Sequence, residues 1–449
     1  MSGAAQPWSG RQIHMVGVGG AGMSAYARAA HALGARVTGS DGAPGEYLER
    51  LRADGILESE IGHRAENVPA GEGAELYYSS AIPVENPERA AARERGIPER
   101  PRADLLGELS ALRRTIAVAG THGKTTTSAM IAHMLIAAGM SPGWLIGAPI
   151  GGGLANAEWG EGEWLVVEAD ESDRSLLSLK LEIAVLTNAE LDHHASFASL
   201  AELEGVFRTF LAGASQAVVW DRPELLALRE GPVVAYEAQD PVLADGGSCF
   251  TWHDHRVTLV VPGDHNATNA AGALEATRLA GAAAEDAIAG LASFTGAGRR
   301  FQTLGRSAGG GKVVEDYAHH PTEVRATLRA ARTLEHDRLI AVFQPHLFSR
   351  TKLLAREFGV ALAEADMVAV LGVYPARERA EDFPGVSGLL IAEAAADAAG
   401  GRPVYWLPGF VEAQAVLEGM LKEGDLCLVM GAGDVDRLAA GLVAAEGEG

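Results

Sequence analysis

The sequence predicts an α/β protein made of several doubly wound units, and three observations carry that expectation. Short β-branched runs alternate with Ala/Leu-rich stretches, joined by glycine-bearing turns, along nearly the whole chain of 449 residues. Several of these runs are apolar at almost every position, as strands are when helices cover both faces of a parallel sheet. Two of them end in glycine-rich turns that open directly into helical sequence, the junction at which open α/β sheets gather phosphates.

Taken in order, IHMVGV (13–18) is the first expected strand, apolar and closed by a glycine turn, with the helical AYARAAHALG behind it. ARVTGS (35–40) and the aromatic LYYSSAI (76–82) continue that unit. TIAVAG (115–120), WLVVEAD (164–170) and IAVLTNA (183–189) are continuous apolar runs that turn polar only at their ends, and QAVVW (216–220) follows them. KVVEDYA (312–318), LIAVFQP (339–345), MVAVLGVY (367–374) and LCLVMGAG (426–433) repeat the pattern in the last third. GELSALRR ahead of a fresh strand puts a boundary near 109, and FTGAGRRFQ after a helical segment puts another near 298. The expected domains are therefore 1–108, 109–298 and 299–449. GGGLANAEWGEGE (151–163) and LGRSAGGGK (304–312) read as loops, too short to be disordered linkers.

The formal net charge of −22 argues against a nucleic-acid backbone or an anionic membrane as partner, yet leaves a phosphorylated small molecule open. The only cysteines, Cys249 and Cys427, show no C-x-x-C spacing, so neither a disulfide framework nor a structural zinc site is expected. MSGAAQPWSGRQ lacks the apolar core of a secretory signal, and no apolar run reaches the roughly 20 residues that a membrane helix needs. A soluble cytoplasmic enzyme is the expectation.

Gly17, Gly19 and Gly22 form G-x-G-x-x-G between a strand and a helix, which lets a backbone approach a diphosphate closely. Asp41 ends the next strand, about where a nicotinamide enzyme keeps its ribose-binding acid. The turn alone fits NAD, another nucleotide diphosphate, or tight packing with no ligand. AVAGTHGKTTTSAM (117–130) is the second turn. It has the Gly-Lys-Thr ending of a phosphate loop, but Val118 stands where the generic motif begins with glycine. Lys124 can reach β- and γ-phosphates, and Thr125 can offer a hydroxyl to Mg²⁺. Two successive strand ends supply metal-type ligands to the same rim: Glu168, Asp170, Glu171 and Asp173 in WLVVEADESD, then Asn188, Asp192 and His193 in TNAELDHHASF.

These segments, with SSAI, GDHNATNAAGA, GRRFQ, EDYAHHPTEV, FQPHLFSRT, VYPARE and GAGD, resemble the Mur ligases in content and order, from about residue 12 to residue 436. The resemblance is to the branch that adds L-alanine. The shortened loop with His122 inside it is itself a mark of that family, shared with folylpolyglutamate synthetases. A recycling branch, which joins a whole peptide to the same sugar nucleotide, is the alternative within the family; an NAD-dependent oxidoreductase is the alternative outside it.

The resemblance implies three domains: a Rossmann-like unit for the UDP-sugar, a central P-loop ATPase domain with a mostly parallel sheet, and a Rossmann-like domain that closes over both. It implies ATP and Mg²⁺ as cofactors, UDP-N-acetylmuramate and L-alanine as substrates, and a monomer or homodimer. By matching positions, the UDP-sugar would lie on Gly19, Gly20, Ala21, Gly22 and Met23, with Asp41, Ser79, Ser80 and Ala81 lining the nucleotide. Gly120, Thr121, His122, Gly123, Lys124, Thr125 and Thr126 would hold the ATP phosphates, and His265, Asn266 and Asn269 the adenine. Arg300 would meet an ATP phosphate and Asp316 the ATP ribose. Thr125 and Glu168 would bind one metal and His193 a second. His319, His346 and Arg350 would receive the amino acid, and one of His319, His320 and His346 could take its proton. Lys124, His193, His346 and Arg350 are thus the expected catalytic residues. Relatives usually carry Arg-Tyr after FQPH where this chain has Leu347-Phe348, which leaves the amino acid's carboxylate to Arg350 or Lys352. They also tend to carry Asp where His194-Ala195 stand and, in EDYAHHP, at Glu315.

Overall fold

The computed structural model describes residues 6–71, 73–192, 196–244 and 246–444. By its internal contacts the chain divides into two units, residues 1–237 with 269–291 and residues 238–268 with 292–449.

The first unit carries two sheets. β1 (Gln12–Val16), β2 (Arg36–Asp41), β3 (Glu58–Ile61), β4 (Ala74–Tyr78) and β5 (Glu99–Pro101) lie in the order β3-β2-β1-β4-β5, all parallel. The order reverses between β1 and β4, so the turns after these two strands flank the switch-point crevice where such sheets take ligands. Those turns hold Gly17–Gly22 and Ser79–Ala81.

The second sheet contains β6 (Arg114–Ala119), β7 (Gly143–Leu145), β8 (Ala157–Glu158), β9 (Trp164–Glu168), β10 (Leu181–Leu186), β11 (Ala214–Trp220) and β12 (Val234–Tyr236). Its order is β12-β11-β10-β6-β9-β7-β8, parallel except for β8. β6 is central and buried from Thr115 to Ala119, because β9, β10 and covering helices leave it no solvent face. Val118 pairs with Glu168 on one side and Val185 on the other, which levels the ends of three strands at one rim. The helix Leu200–Ala212 covers part of this sheet. Ser199 caps it by accepting the Glu202 N–H, and Leu203, Phe207, Phe210 and Leu211 recur at helical spacing on its buried face. Each such side chain contributes roughly 1.5–3 kcal/mol by leaving water.

The second unit begins with a small antiparallel sheet, β13 (Gln239–Ala244), β14 (Gly247–Trp252) and β15 (His255–Leu259). Its larger sheet holds β16 (Gln302–Arg306), β17 (Lys312–Asp316), β18 (Arg338–Phe343), β19 (Met367–Val370), β20 (Val404–Trp406) and β21 (Asp425–Met430). The order is β16-β17-β21-β18-β19-β20, with only the edge strand β16 antiparallel. Cys427 is buried in β21, where burial pushes its thiol up to about 12, and Cys249 lies in β14.

The α/β class is as the sequence predicts, but several strands stop short of the expected runs. The expected strands overrun: β4 stops at Tyr78 rather than Ile82, β9 at Glu168 rather than Asp170, β10 at Leu186 rather than Ala189, and β19 at Val370 rather than Tyr374. The overrun residues leave the ladder to form rim turns; Ile82 N–H, for example, donates to Ser79 O at 2.9 Å. The sequence reading also misses β13–β15. Those strands do not run apolar; GSCFTW in β14 alternates half-buried and buried positions.

Candidate active site

The N-terminal turn is built on backbone. Gly17 has φ +81°, and its N–H and that of Val18 donate to Ser40 O at 2.8 and 3.1 Å. A Cβ on Gly17 would lie 3.1 Å from Ser79 Cβ, so this glycine lets the turns after β1 and β4 meet. Gly19 N–H donates to Asp41 Oδ2 at 2.8 Å. Gly20 then caps the helix Ala21–Ala32, which opens with Ala21, Gly22 and Met23. The structure thus brings Gly17–Gly22, Asp41 and Ser79 together, with Ser79 Oγ accepting the Ala81 N–H at 3.4 Å beside Ser80.

In the second turn the position of the missing glycine, Val118, is fully buried inside β6, and the loop proper runs only from Gly120 to Gly123. It is laced to the end of β10. Thr121 Oγ1 donates to Glu190 O at 2.8 Å, His122 N–H donates to Asn188 Oδ1 at 2.9 Å, and Thr187 Oγ1 donates to His122 O at 2.6 Å. The His122 ring lies 3.2 Å from Glu190 Oε2. Gly123, at φ +81°, caps the helix Lys124–Ala137, and a Cβ there would lie 2.5 Å from Asn269 Oδ1. Asn269 therefore joins this loop. His265 and Asn266, at the start of the same helix Asp264–Leu279, belong to the second unit; Asn266 Nδ2 donates to Pro262 O at 2.7 Å.

Lys124 Nζ donates to Gly120 O at 2.6 Å, Thr121 O at 3.1 Å and Glu171 Oε1 at 3.0 Å. Burial alone would lower its pKa, but Glu171, Asp170 and Glu168 together hold the ammonium above the ordinary lysine value. Thr125 Oγ1 donates to Glu168 Oε1 at 2.7 Å, while Glu168 Oε2 accepts Gly147 N–H at 2.6 Å. A buried threonine hydroxyl against a half-buried carboxylate, both at a phosphate loop, is a hard oxygen donor set that suits Mg²⁺. Thr126 is buried beside them, and so is Asp192; His193 and His194 lie outside the described residues.

One participant is absent from the sequence reading. Arg102, at the start of the helix Arg102–Ala111, sends Nε to Asp173 Oδ2 at 2.6 Å and Nη2 to Asp170 Oδ2 at 3.0 Å. Burial pushes the Asp170 carboxyl up, but Arg102 and Lys124 outweigh it and draw the pKa down to about 2. Arg102 follows Pro101 and fits no motif, so only its tertiary position gives it away.

In the second unit His319, His346 and Arg350 do come together. The rings of His319 and His346 are 6.1 Å apart, His346 Nδ1 lies 3.2 Å from Arg350 Nη1, and Tyr374 stacks on His346 at 5.7 Å. Leu347 sits at φ +70° at the head of the helix Phe348–Leu362, and Phe348 stacks on Phe383. His320 has a structural task. Its ring caps the helix Pro321–Ala331 in a capping box with Glu323. Asp316 is buried; its Oδ2 accepts Phe301 N–H and its Oδ1 accepts Ala318 N–H, both at 2.8 Å. Arg300 lies 4.0 Å from Glu323 and packs over the Tyr317 ring. Glu315 pairs with Arg299 at 2.5 Å.

Comparison with known proteins places the chain. The model of the Mur ligase family catalytic domain matches residues 12–114, that of the Mur ligase middle domain 118–277, and that of the Mur ligase glutamate ligase domain 299–433. The chain is 43% identical over 456 residues to the UDP-N-acetylmuramate–L-alanine ligase of Chlorobaculum tepidum, covering 96% of this chain and 94% of that one. It is 41% identical over 471 residues to the enzyme of the same name from Mycolicibacterium smegmatis, covering 98% and 95%. Among solved structures it resembles the UDP-N-acetylmuramate-alanine ligase MurC of Thermotoga maritima, with a TM-score of 0.82 at 27% identity over 95% of this chain and 97% of that one. A murein peptide ligase from Psychrobacter arcticus, at 24% identity and a TM-score of 0.70, shares the fold.

Proposed function

This chain belongs to the Mur ligase family, and from that premise we infer that it is an ATP-dependent ligase joining L-alanine to the carboxylate of UDP-N-acetylmuramate. Its place is in the synthesis of a peptidoglycan precursor, and the compartment is the cytoplasm. No helix among the described residues is long and apolar enough to cross a membrane.

The observation that carries the reading is the loop Gly120–Thr125, with Lys124 and the Thr125–Glu168 pair at the end of a buried strand. A carboxylate is a poor electrophile because its charge repels nucleophiles and oxide leaves badly. Transfer of the γ-phosphoryl group from ATP to a carboxylate oxygen makes an acyl phosphate and releases ADP. The amine of L-alanine then attacks the acyl carbon, the C–O bond to phosphate breaks, and the amine proton is lost.

In this reading Lys124 offsets the repulsion between the incoming carboxylate and the phosphates, as it already faces several carboxylates. Mg²⁺ would be held by Thr125 and Glu168, with His193 contributing to a second site, and would supply further neutralisation of the transferred phosphoryl group. Gly19–Met23, Asp41 and Ser79–Ala81 hold the sugar nucleotide. His265, Asn266, Asn269, Arg300 and Asp316 hold the rest of ATP. Arg350 offers a planar fork to the amino acid's carboxylate, and His346, 3.2 Å from it, would accept the amine proton.

The test is phosphate release from ATP and Mg²⁺ with UDP-N-acetylmuramate, comparing L-Ala, Gly, L-Ser and the peptide taken by recycling ligases. Release that requires both the sugar nucleotide and L-Ala is expected. Release with the peptide alone would assign the chain to the recycling branch, and nicotinamide turnover without phosphate release would overturn the ligase reading.

A further inference from the structure

We propose that Arg102 is a positioning residue that couples occupancy of the sugar-nucleotide turn to the acidic loop facing Lys124; this rests on the ligand assignment above. Three contacts support it. Two guanidinium nitrogens are spent on Asp173 and Asp170, at 2.6 and 3.0 Å. The third, Nη1, lies against the N-terminal turn, 2.8 Å from where a Cβ on Gly22 would stand. The side chain is only 15% exposed, so these contacts are enclosed rather than incidental surface pairs.

The electrostatics make this arrangement conditional. Gly22 is in the first turn of the helix Ala21–Ala32, whose N-terminal end carries partial positive charge. A guanidinium there has the wrong sign for the helix and is stabilised by Asp170 and Asp173. A diphosphate arriving on the same turn adds a second anionic partner for Arg102, in competition with those two carboxylates or in concert with them. Either response is passed on, because the two aspartates are also tied to the backbone of the acidic loop. Asp170 Oδ1 accepts Ser172 N–H at 2.9 Å and Asp173 Oδ1 accepts Ser175 N–H at 3.0 Å. Glu171, between those two acids, holds Lys124 Nζ at 3.0 Å. A shift at Arg102 therefore reaches the lysine through one residue.

Coupling between two ligands is reciprocal and can be measured without turnover. The experiment is calorimetry of the Mg²⁺ complex of a non-hydrolysable ATP analogue, AMP-PNP, with and without saturating UDP-N-acetylmuramate. For the unaltered protein the sugar nucleotide should change the analogue's Kd by about fivefold or more. In Arg102→Gln the factor should fall below about twofold while each ligand still binds alone, and Arg102→Lys, which keeps charge but not the fork, should lie between. Asp173→Asn removes a partner from the other side and should lower the factor as well; it carries the test should Arg102→Gln fail to fold. An undiminished factor in Arg102→Gln or, where that variant does not fold, in Asp173→Asn, or a factor of one in the unaltered protein, overturns the proposal. Failure of the unaltered protein to bind UDP-N-acetylmuramate at all would instead overturn the functional reading, and this inference with it.

Discussion

The two glycine turns of the first unit look alike in sequence and differ in what reaches them. The N-terminal turn is closed by its own backbone and by Asp41 on Gly19 N–H, with the Arg102 guanidinium beside Gly22. The mid-chain turn carries an ammonium that is ringed by Glu171, Asp170 and Glu168, and a hydroxyl bonded to a carboxylate. The first can seat a diphosphate; the second can also change one. A glycine turn thus announces phosphate, and the side chains aimed at it decide between binding and chemistry.

The largest expected effect breaks that contrast at its centre. Lys124→Ala should cut kcat by about 10³-fold, the scale of losing a charged group aimed at developing negative charge. Affinity for UDP-N-acetylmuramate, measured by calorimetry, should change by less than about threefold if that ligand is held at the other turn as proposed. Equal losses at both would mean that the division of labour is wrong.

Glu168→Gln comes next. It keeps an acceptor for the Thr125 hydroxyl but removes the charge that a hard cation needs. Activity should fall about 10- to 100-fold and the Mg²⁺ concentration for half-maximal rate should rise comparably. An unchanged Mg²⁺ titration would remove Glu168 from the metal site.

How much of this was legible beforehand follows from how local each feature is. Lys124, Thr125 and the strand–loop–helix around them are readable because a few consecutive residues make them. Glu168 is readable because it ends a strand of uniform apolar character. Arg102 and the approach of Asn269 to Gly123 are not, since each depends on two distant segments meeting and neither leaves a local pattern. β13–β15 leave a faint trace for a related reason: their half-buried alternation is diluted by polar residues and forms no continuous apolar run. His320 is less legible, since the sequence offers it beside His319 and His346 as a proton acceptor and gives no sign of a cap. Its ring caps the helix Pro321–Ala331, a task that only the structure reveals.

Glycines within the second turn and outside it should respond differently to an added methyl group. Gly120 has φ +134°, and a Cβ there would stand 2.1 Å from Thr187 Oγ1 and 3.0 Å from Asn188 backbone. Gly120→Ala should cost about 1–3 kcal/mol of stability through backbone strain, readable as a lower denaturation midpoint. A midpoint equal to that of the unaltered protein would show that the loop relaxes freely and is not held by its stitches to β10.

Gly20 is the sharper case because its fold has no need of a glycine. It sits at φ −73° and ψ 148°, ordinary extended backbone, and a Cβ would find nothing closer than Gly17 O at 3.7 Å. Gly20→Ala should therefore leave stability within about 0.5 kcal/mol. If the turn seats a diphosphate against its backbone, the same methyl group intrudes on the ligand, and affinity for UDP-N-acetylmuramate should fall about tenfold, the cost of a modest overpacking. ATP-analogue binding measured alone should be untouched. An alanine at position 20 that disturbs neither stability nor sugar-nucleotide binding would mean that the open space above this turn is simply solvent, and that the diphosphate lies elsewhere.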